Sequence, residues 1–422
     1  MSALLSPLRL ATLHRAARRW FAERQFRFEA APHPGRRQLL VDVSTIIRTD
    51  SRTGIQRVVR ALLGQIMARE SPGLKVQPVF ASSKHGFCRA TFQPDGRLIN
   101  ASADARTLQP VEVRSGDIFL GLDLTAQVLP KVESQLAEWR LGGVSINFVI
   151  YDVLPATQPH WFSARLARSF RRWLGVVGRQ SDRCICISRA VASALADQFA
   201  VQGSRQPPEL LTIPLGADLD ASFPSTGLPE DFRATLDWAQ RGRTVMTVGT
   251  IEPRKGHDLL LDAFDHIWQS FPGSDIALLI IGRPGWKTDR LQQRIRSHPE
   301  QGQRLVWLDQ ASDAYLAKLY PLCAGLVSAS RAEGYGLPLI EAAAHGTPVL
   351  ARDLPVFREV GGALFDYFDS DAAAPFAGRI TAWLDHALRP SPADIAKLPR
   401  WNDSAAVLLA HLGLTTPEGV PA

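Results

Sequence analysis

Residues 330–360 read SRAEGYGLPLIEAAAHGTPVLARDLPVFREV. The apolar run 324–328 just ahead predicts a buried strand. A tight polar loop follows over residues 331–336, then a helix from Leu337 to His345 with Gly346 closing it, then another short strand from Pro348. Strand, glycine-bearing loop and helix start make an anion-binding unit. Glycine lets a ligand approach the backbone, and the first helical turn offers unpaired N–H groups at the positive end of the helix dipole. Glu333 lies in the loop and Glu341 on the helix, with seven residues between them. Each carboxylate can accept hydrogen bonds from paired hydroxyls, so the two can bracket one anion pocket.

A nucleotide sugar makes those demands: one carboxylate for the sugar, one for the ribose, and amides for the diphosphate. Two glutamates at this spacing are by themselves usually solvated surface. The full string EGYGLPLIEAAAHGTPVLA says more, and it closely resembles the signature of the retaining glycosyltransferases of family 4 (group 1), which have the GT-B fold. The resemblance implies an α/β protein of two Rossmann-like domains facing each other across a cleft. It implies that Glu333 contacts the donor sugar and Glu341 the ribose, with Gly334, Tyr335, Gly336 and Leu337 binding the donor at the helix start.

The composition fits such a protein. A chain of 422 residues, 45% hydrophobic and 21% charged, can build two soluble domains with full cores. No apolar run approaches a membrane span of about 20 residues. In residues 1–13 the basic residues follow the apolar patches, so no secretory signal is expected. Cys88, Cys184, Cys186 and Cys323 are too scattered for a disulfide framework and read as core thiols in a reducing cytoplasm. The net charge of +7 is concentrated in residues 1–37, where eight arginines face two glutamates, leaving the rest nearly neutral. That excludes a nucleic-acid-binding face spread over the fold. The basic arm carries apolar residues at roughly helical spacing between Leu8 and Phe28. It reads either as an amphipathic helix for an anionic membrane surface, which would make the protein peripheral on the inner face, or as a flexible or locally packed arm.

The chain divides into this arm (1–37), a first domain (38–217), a Pro-, Gly- and Ser-rich linker (218–243), a second domain (244–390) and a C-terminal helix and tail (391–422). In the first domain, strands alternate with helices after QLLVDVS (38–44), the pattern of a mainly parallel sheet whose strand ends carry ligands. Gly54 opens a helix with Ile55, Val58, Val59, Leu62, Leu63 and Ile66 on one face. VDVSTIIRTDSRTGIQRVV resembles the start of bacterial family-4 enzymes that build surface polysaccharides, many of them mannosyltransferases. There the TGI turn lies against the donor diphosphate, which assigns that place to Gly54. At the end of strand 144–151 stands Tyr151-Asp152, where relatives often have His-Asp near the reacting sugar. Tyr151 and Asp152 are therefore cleft candidates for the acceptor, with His160 able to fill the missing histidine's space from the loop.

In the second domain, GTIEPRKG (249–256) ends one strand and precedes a helix, in a loop expected to be exposed. Fixed cations aimed at a departing diphosphate stabilise the transition state more than the ground state. The motif resembles the family's phosphate loop, which implies that Arg254 and Lys255 grip the diphosphate beside Gly249. Thr250 stands where many relatives have arginine, so the arginine's role passes to Arg254, and Glu252 orders the loop. By the same resemblance the base lies between RPGWK (283–287) and strand 304–308, with Trp286 either stacking on it or capping the core.

No carboxylate pair is placed for a metal, Asp366, Asp369 and Asp123 included, and no cofactor is expected. The expected reaction is retaining, with front-side attack in which the leaving phosphate accepts the acceptor's proton. GDP-mannose is the leading donor, and a saccharide or lipid-linked acceptor the leading acceptor, in synthesis of bacterial surface polysaccharide such as lipopolysaccharide O-antigen or capsule. A nucleotide-sugar epimerase, a phosphorylase or a non-catalytic scaffold remain as alternatives.

Overall fold

The computed structural model describes residues 28–29, 36–71, 73–82, 84–100, 108–203 and 206–414. The basic arm expected over residues 1–37 falls almost entirely outside them. Within the described residues, two large sheets are built from alternating strands and helices, beside a two-stranded parallel pairing of Phe28–Glu29 with Val113–Arg114.

The first sheet contains β1 (Arg37–Asp42), β2 (Leu74–Ser82), β3 (Gly86–Phe92), β4 (Leu98–Asn100), β5 (Ile118–Gly121), β6 (Ser145–Ile150), β7 (Arg183–Cys186) and β8 (Glu209–Thr212). Its order is β8-β7-β6-β5-β1-β2-β3-β4. The strands from β8 to β2 pair in parallel, whereas β3 and β4 are antiparallel edge strands. The chain leaves β1 on one side and returns to its other side as β5. A crevice therefore opens at the carboxyl ends of β1 and β5.

Helix α1 (Gly54–Met67) starts where expected. Thr53 and Gln56 form a reciprocal capping box, and Val58, Val59, Leu62, Leu63 and Ile66 are buried. Helices α2 (Glu133–Leu141), α3 (Ala164–Gln180) and α4 (Arg189–Val201) fill the later connections. The serines before α3 and α4 cap them, each accepting a backbone N–H of the first turn. Cys184 and Cys186 point to one side of β7, fully buried and unbridged, as core thiols.

The stretch expected to be a linker, 218–243, contains a helix, α5 (Phe232–Gln240). The second sheet follows: β9 (Arg243–Val248), β10 (Ile276–Ile281), β11 (Leu305–Leu308), β12 (Gly325–Ser328), β13 (Val349–Arg352) and β14 (Asp366–Phe368). All its pairs are parallel, in the order β11-β10-β9-β12-β13-β14. Burial on both faces explains runs such as IALLII in β10. Its direction reverses between β9 and β12. The loops after those two strands carry GTIEPRKG and SRAEGYG, so the topology brings the two motifs to one crevice.

Helices α6 (His257–Ser270), α7 (Asp289–Arg296), α8 (Asp313–Leu319), α9 (Leu337–Ala344), α10 (Pro355–Gly361) and α11 (Ala373–His386) complete this domain. The last helix, α12 (Trp401–His411), belongs spatially to the first domain. It packs on α1, and the backbone of Trp401 lies so close to Gly216 that a Cβ there would sit 2.3 Å from it. The Trp401 N–H donates to Asp218, and His411 bonds the carbonyl of Thr212.

Candidate active site

The site is built from three loops that meet between the sheets. From β9, Val248 leads into Gly249 and Thr250 and then a turn of 3₁₀ helix, Pro253–Lys255. From β12, Ser330 leads to Glu333 and the start of α9 at Gly336, whose φ of 101° suits glycine. From β6 come Tyr151 and Asp152.

Arg254, Lys255 and Glu333, far apart in sequence, form one ionic cluster. Arg254 Nη1 lies 2.5 Å from Glu333 Oε2, and Lys255 Nζ 2.5 Å from Oε1. Ser330 Oγ donates to Oε1 at 2.9 Å. Burial alone would raise the Glu333 pKa, but the charges of Arg254 and Lys255 overcome it and hold the carboxyl at about 2. Arg254 also reaches Glu252 at 2.8 Å, which gives Glu252 the loop-ordering contact expected of it. The expectation of an exposed loop does not hold: Glu252 is buried and both cations are largely covered, because each desolvated charge has its partner here. Asp152 joins the edge of the cluster. Burial raises its pKa, opposed by Arg254, and its carboxylate accepts the N–H of Leu154 at 3.0 Å.

Glu341 lies one element further along. It is buried on α9, accepts the Tyr320 hydroxyl at 3.0 Å, and is paired with Arg57 of α1. The other arm of Arg57 pairs with Asp313 at the start of α8, and Asp313 in turn accepts Ser225 N and Oγ, each at 2.7 Å. Arg57, Asp313 and Tyr320 were not singled out from sequence. The one hint was Arg57's place in the first turn after Gly54, within the TGIQRVV stretch. Gly54 itself has no atom within 4 Å of where a Cβ would stand, so the space beside it is open.

Other candidates are placed differently. The Tyr151 side chain is turned into the first domain: it is buried and its hydroxyl donates to the carbonyl of Leu122 at 2.6 Å. It is therefore not a cleft side chain, and what Tyr151 presents to the second domain is its backbone. A Cβ on Gly334 would sit 2.0 Å from the Tyr151 carbonyl oxygen, so the glycine permits this approach. Tyr335, expected at the donor, likewise spends its hydroxyl on the first domain, bonding the N–H and carbonyl of Leu215 at 2.9 and 3.1 Å. Leu337 is buried as the first residue of α9. His160 is exposed, and its carbonyl receives Lys287 Nζ at 2.6 Å. Trp286 is 42% exposed and donates to the Trp161 carbonyl, so it neither caps the core nor is sealed in. Ser188 Oγ completes the contact between domains by donating to the Gly334 carbonyl at 2.9 Å.

Among the described residues no group of three or more His, Cys, Asp or Glu is arranged to hold a metal ion. Asp366 instead accepts the Trp383 indole N–H, and Asp123 accepts the N–H groups of Thr45 and Ile46. At the crevice of the first sheet, Asp123 faces Asp42, which burial raises to about 7 against the hydrogen bond from Ser44. What the second-domain cluster offers is a pair of fixed cations beside a helix N-terminus, with a carboxylate on each side. That arrangement can hold a diphosphate between two polyhydroxyl groups.

The chain also resembles known proteins. Residues 230–397 match the model of the family glycosyl transferases group 1. Over 388 residues the chain is 37% identical to the serotype-specific mannosyltransferase WbdA of Escherichia coli, covering 90% of this chain and 47% of that protein. It is 34% identical over 188 residues to a phosphatidyl-myo-inositol mannosyltransferase of Mycobacterium tuberculosis, covering 41% of this chain and 42% of the relative. The chain spans about half the length of the curated relatives it matches. Among solved structures, sucrose-phosphate synthase from Thermosynechococcus elongatus superposes with a TM-score of 0.55 at 18% identity, covering 89% of this chain and 95% of that one. Anabaena HepE in complex with UDP and glucose gives 0.52 at 14% identity, with the same coverage. At such identities the likeness shows the fold alone.

Proposed function

With a group 1 glycosyltransferase domain in a two-domain GT-B fold as its premise, we propose that this chain transfers a hexose, with retention of configuration, from a nucleotide sugar to a saccharide or lipid-linked acceptor. The observation that carries this reading is the cluster of Arg254, Lys255 and Glu333 at the switch point of the second sheet. In the reaction, Arg254 and Lys255 turn to the diphosphate and offset the charge that develops as the glycosidic bond breaks. Glu333, released from them, holds the donor sugar, and Glu341 holds the ribose. Two cations and the N-terminus of α9 carry the phosphate charge without a metal. The leaving phosphate takes the acceptor hydroxyl's proton, so no side-chain base is required.

Mannose from GDP-mannose is the proposed donor, because the curated relatives named above are mannosyltransferases. Surface polysaccharide is the proposed product. No helix among the described residues is long and apolar enough to cross a membrane. We place the protein in the cytoplasm, reaching an anionic membrane surface through its basic arm. Loss of binding to phosphatidylserine vesicles on deleting residues 1–37 tests that placement.

The decisive experiment incubates the protein with GDP-mannose or UDP-glucose, with and without a mannose oligosaccharide, in EDTA. Acceptor-dependent release of GDP with an α-linked product supports the reading. Turnover of the nucleotide sugar without acceptor points to an epimerase. Inverted product, or activity only after Mg²⁺ is restored, refutes the mechanism.

A further inference from the structure

Beside the phosphate loop lies an open cavity of about 500 Å³. Its walls come from both domains. Trp161 belongs to the first, while Pro253, Asp258, Asp289, Arg290 and Arg331 belong to the second. Part of the wall is held in place, while Lys287, Asp289 and Arg290 are exposed. Arg331 spans from the Pro253 carbonyl at 2.7 Å to Asp258 at 2.9 Å. Trp161 is pinned through its backbone carbonyl by the indole N–H of Trp286, at 2.7 Å. Trp161 is half-buried, lines the cavity, and has its ring 5.1 Å from that of His160. Asp289 and Arg290 have no ion-pair partner among the described residues.

The charge of this lining decides what it can hold. Three acidic side chains, Glu252, Asp258 and Asp289, are balanced by three basic ones, Lys287, Arg290 and Arg331. A site for a phosphate, a nucleotide or an anionic headgroup needs an excess of cations, and there is none here. A neutral polyhydroxyl ligand is served well by the same set. Planar carboxylates and guanidinium groups pair with neighbouring hydroxyls, and the apolar face of a sugar ring covers an indole. Trp286, 42% exposed, lies nearby, its ring packed on that of Phe162 with centroids 6.2 Å apart. The volume falls within the range of about 300–1,000 Å³ usual for small-ligand sites.

We propose that this cavity is an acceptor subsite, holding a neutral saccharide unit of the acceptor chain set back from the hydroxyl that receives the new sugar. The inference rests on the glycosyltransferase reading for its role but not for its binding chemistry. Pro253 lies on the cavity wall and is followed directly by the two cations of the donor cluster. The cavity thus adjoins the turn that carries the donor cluster.

The test uses the full chain and the variants Trp161→Ala, Trp161→Phe and Asp289→Ala, with a mannose tetrasaccharide, methyl mannoside and pyrophosphate as probes. In calorimetric titration without donor, the tetrasaccharide should bind the parent protein about tenfold more tightly than Trp161→Ala, the scale expected for losing one aromatic face, with Trp161→Phe restoring most of the difference. In transfer assays the KM for the tetrasaccharide should rise to the same extent in Trp161→Ala. Its kcat, the KM for methyl mannoside and the KM for the donor should stay unchanged. No saccharide binding by the parent protein, or pyrophosphate binding that depends on Trp161, overturns the subsite. So does transfer whose dependence on acceptor length is the same in parent and Trp161→Ala. Saccharide binding that depends on Trp161, in a protein that transfers nothing, would uphold the subsite and sink the transferase reading instead.

Discussion

Arg57 links the two domains through two ion pairs, and its removal has a calculable cost. Its guanidinium pairs with Glu341 and Asp313, whose side chains are 3% and 14% exposed. Replacing Arg57 by methionine keeps the packing of the long side chain but leaves Glu341 with only the Tyr320 hydroxyl, while Asp313 keeps its bonds from Ser225. Stripping one partner from a buried ion pair costs about 3–5 kcal/mol, and the retained bonds put Arg57→Met at the lower end, about 3 kcal/mol. With about 2–4 °C lost per kcal/mol in domains of this size, the melting temperature should drop by about 6–12 °C. Glu341→Gln added to Arg57→Met should recover most of this, since no unpaired carboxylate is then left beside Tyr320. Urea unfolding of the parent, both single variants and the double variant closes the cycle, with an expected coupling of about 2 kcal/mol. A coupling below about 0.5 kcal/mol would mean that the bridge does not hold the domains in solution, and the reasoning would fail.

Other consequences are as direct. Gly334→Ala places a methyl group 2.0 Å from the Tyr151 carbonyl oxygen, which backbone cannot evade, so the cleft should be held apart. Small-angle scattering should show a larger radius of gyration and transfer should fall more than about tenfold, whereas Gly54→Ala should leave the scattering unchanged; identical profiles for all three proteins would refute this. Glu341→Ala should weaken binding of bare GDP, while Glu333→Ala should leave it intact or tighten it by freeing Arg254 and Lys255; equal losses would end the proposed division between ribose and sugar. Asp42 titrates at about 7 in the fold against 3.8 ordinarily, so its burial costs nothing near pH 4, costs more as pH rises towards 7, and levels off above. Asp42→Asn should therefore become more stabilising relative to the parent by about 4 kcal/mol between pH 4 and pH 8, whatever constant difference its altered bonds to Ser44 add at both. A difference that does not change with pH would refute the assignment.

Long apolar runs and dense motifs made most of the fold legible in the sequence. Ile276–Ile281 reads as a strand from end to end because both its faces are buried. The edge hairpin of β3 and β4 is not legible in the apolar pattern because its strands mix polar residues with short apolar runs, which leaves the Asp95-Gly96 turn as its main local signal. Helix α5 was hidden for a similar reason: Ala239 is its only buried residue, so little apolar pattern marks it. At the site, Arg254, Lys255, Glu333 and Glu341 stand inside contiguous motifs and could be named. The Arg57–Glu341 pair joins residues 284 positions apart, a separation that no local pattern encodes. Tyr151 and Tyr335 were misread in the other direction. Their places in the motifs are clear, but the direction of each side chain is set by a backbone partner, Leu122 or Leu215, that the motif does not contain.

The seat of α12 against α1 bears on how the chain can be made. The first lobe is sealed by residues 401–411, which leave the ribosome after the whole second lobe has been synthesised. Until then Gly216 and the flank of α1 lack their cover, and this apolar seam must wait while the later sheet assembles. A cut at the interlobe connection would not release two self-sufficient pieces. A fragment ending near residue 217 should instead be rescued by a separate peptide bearing residues 398–414, so the molecule's natural breaking point lies near its end rather than at its waist.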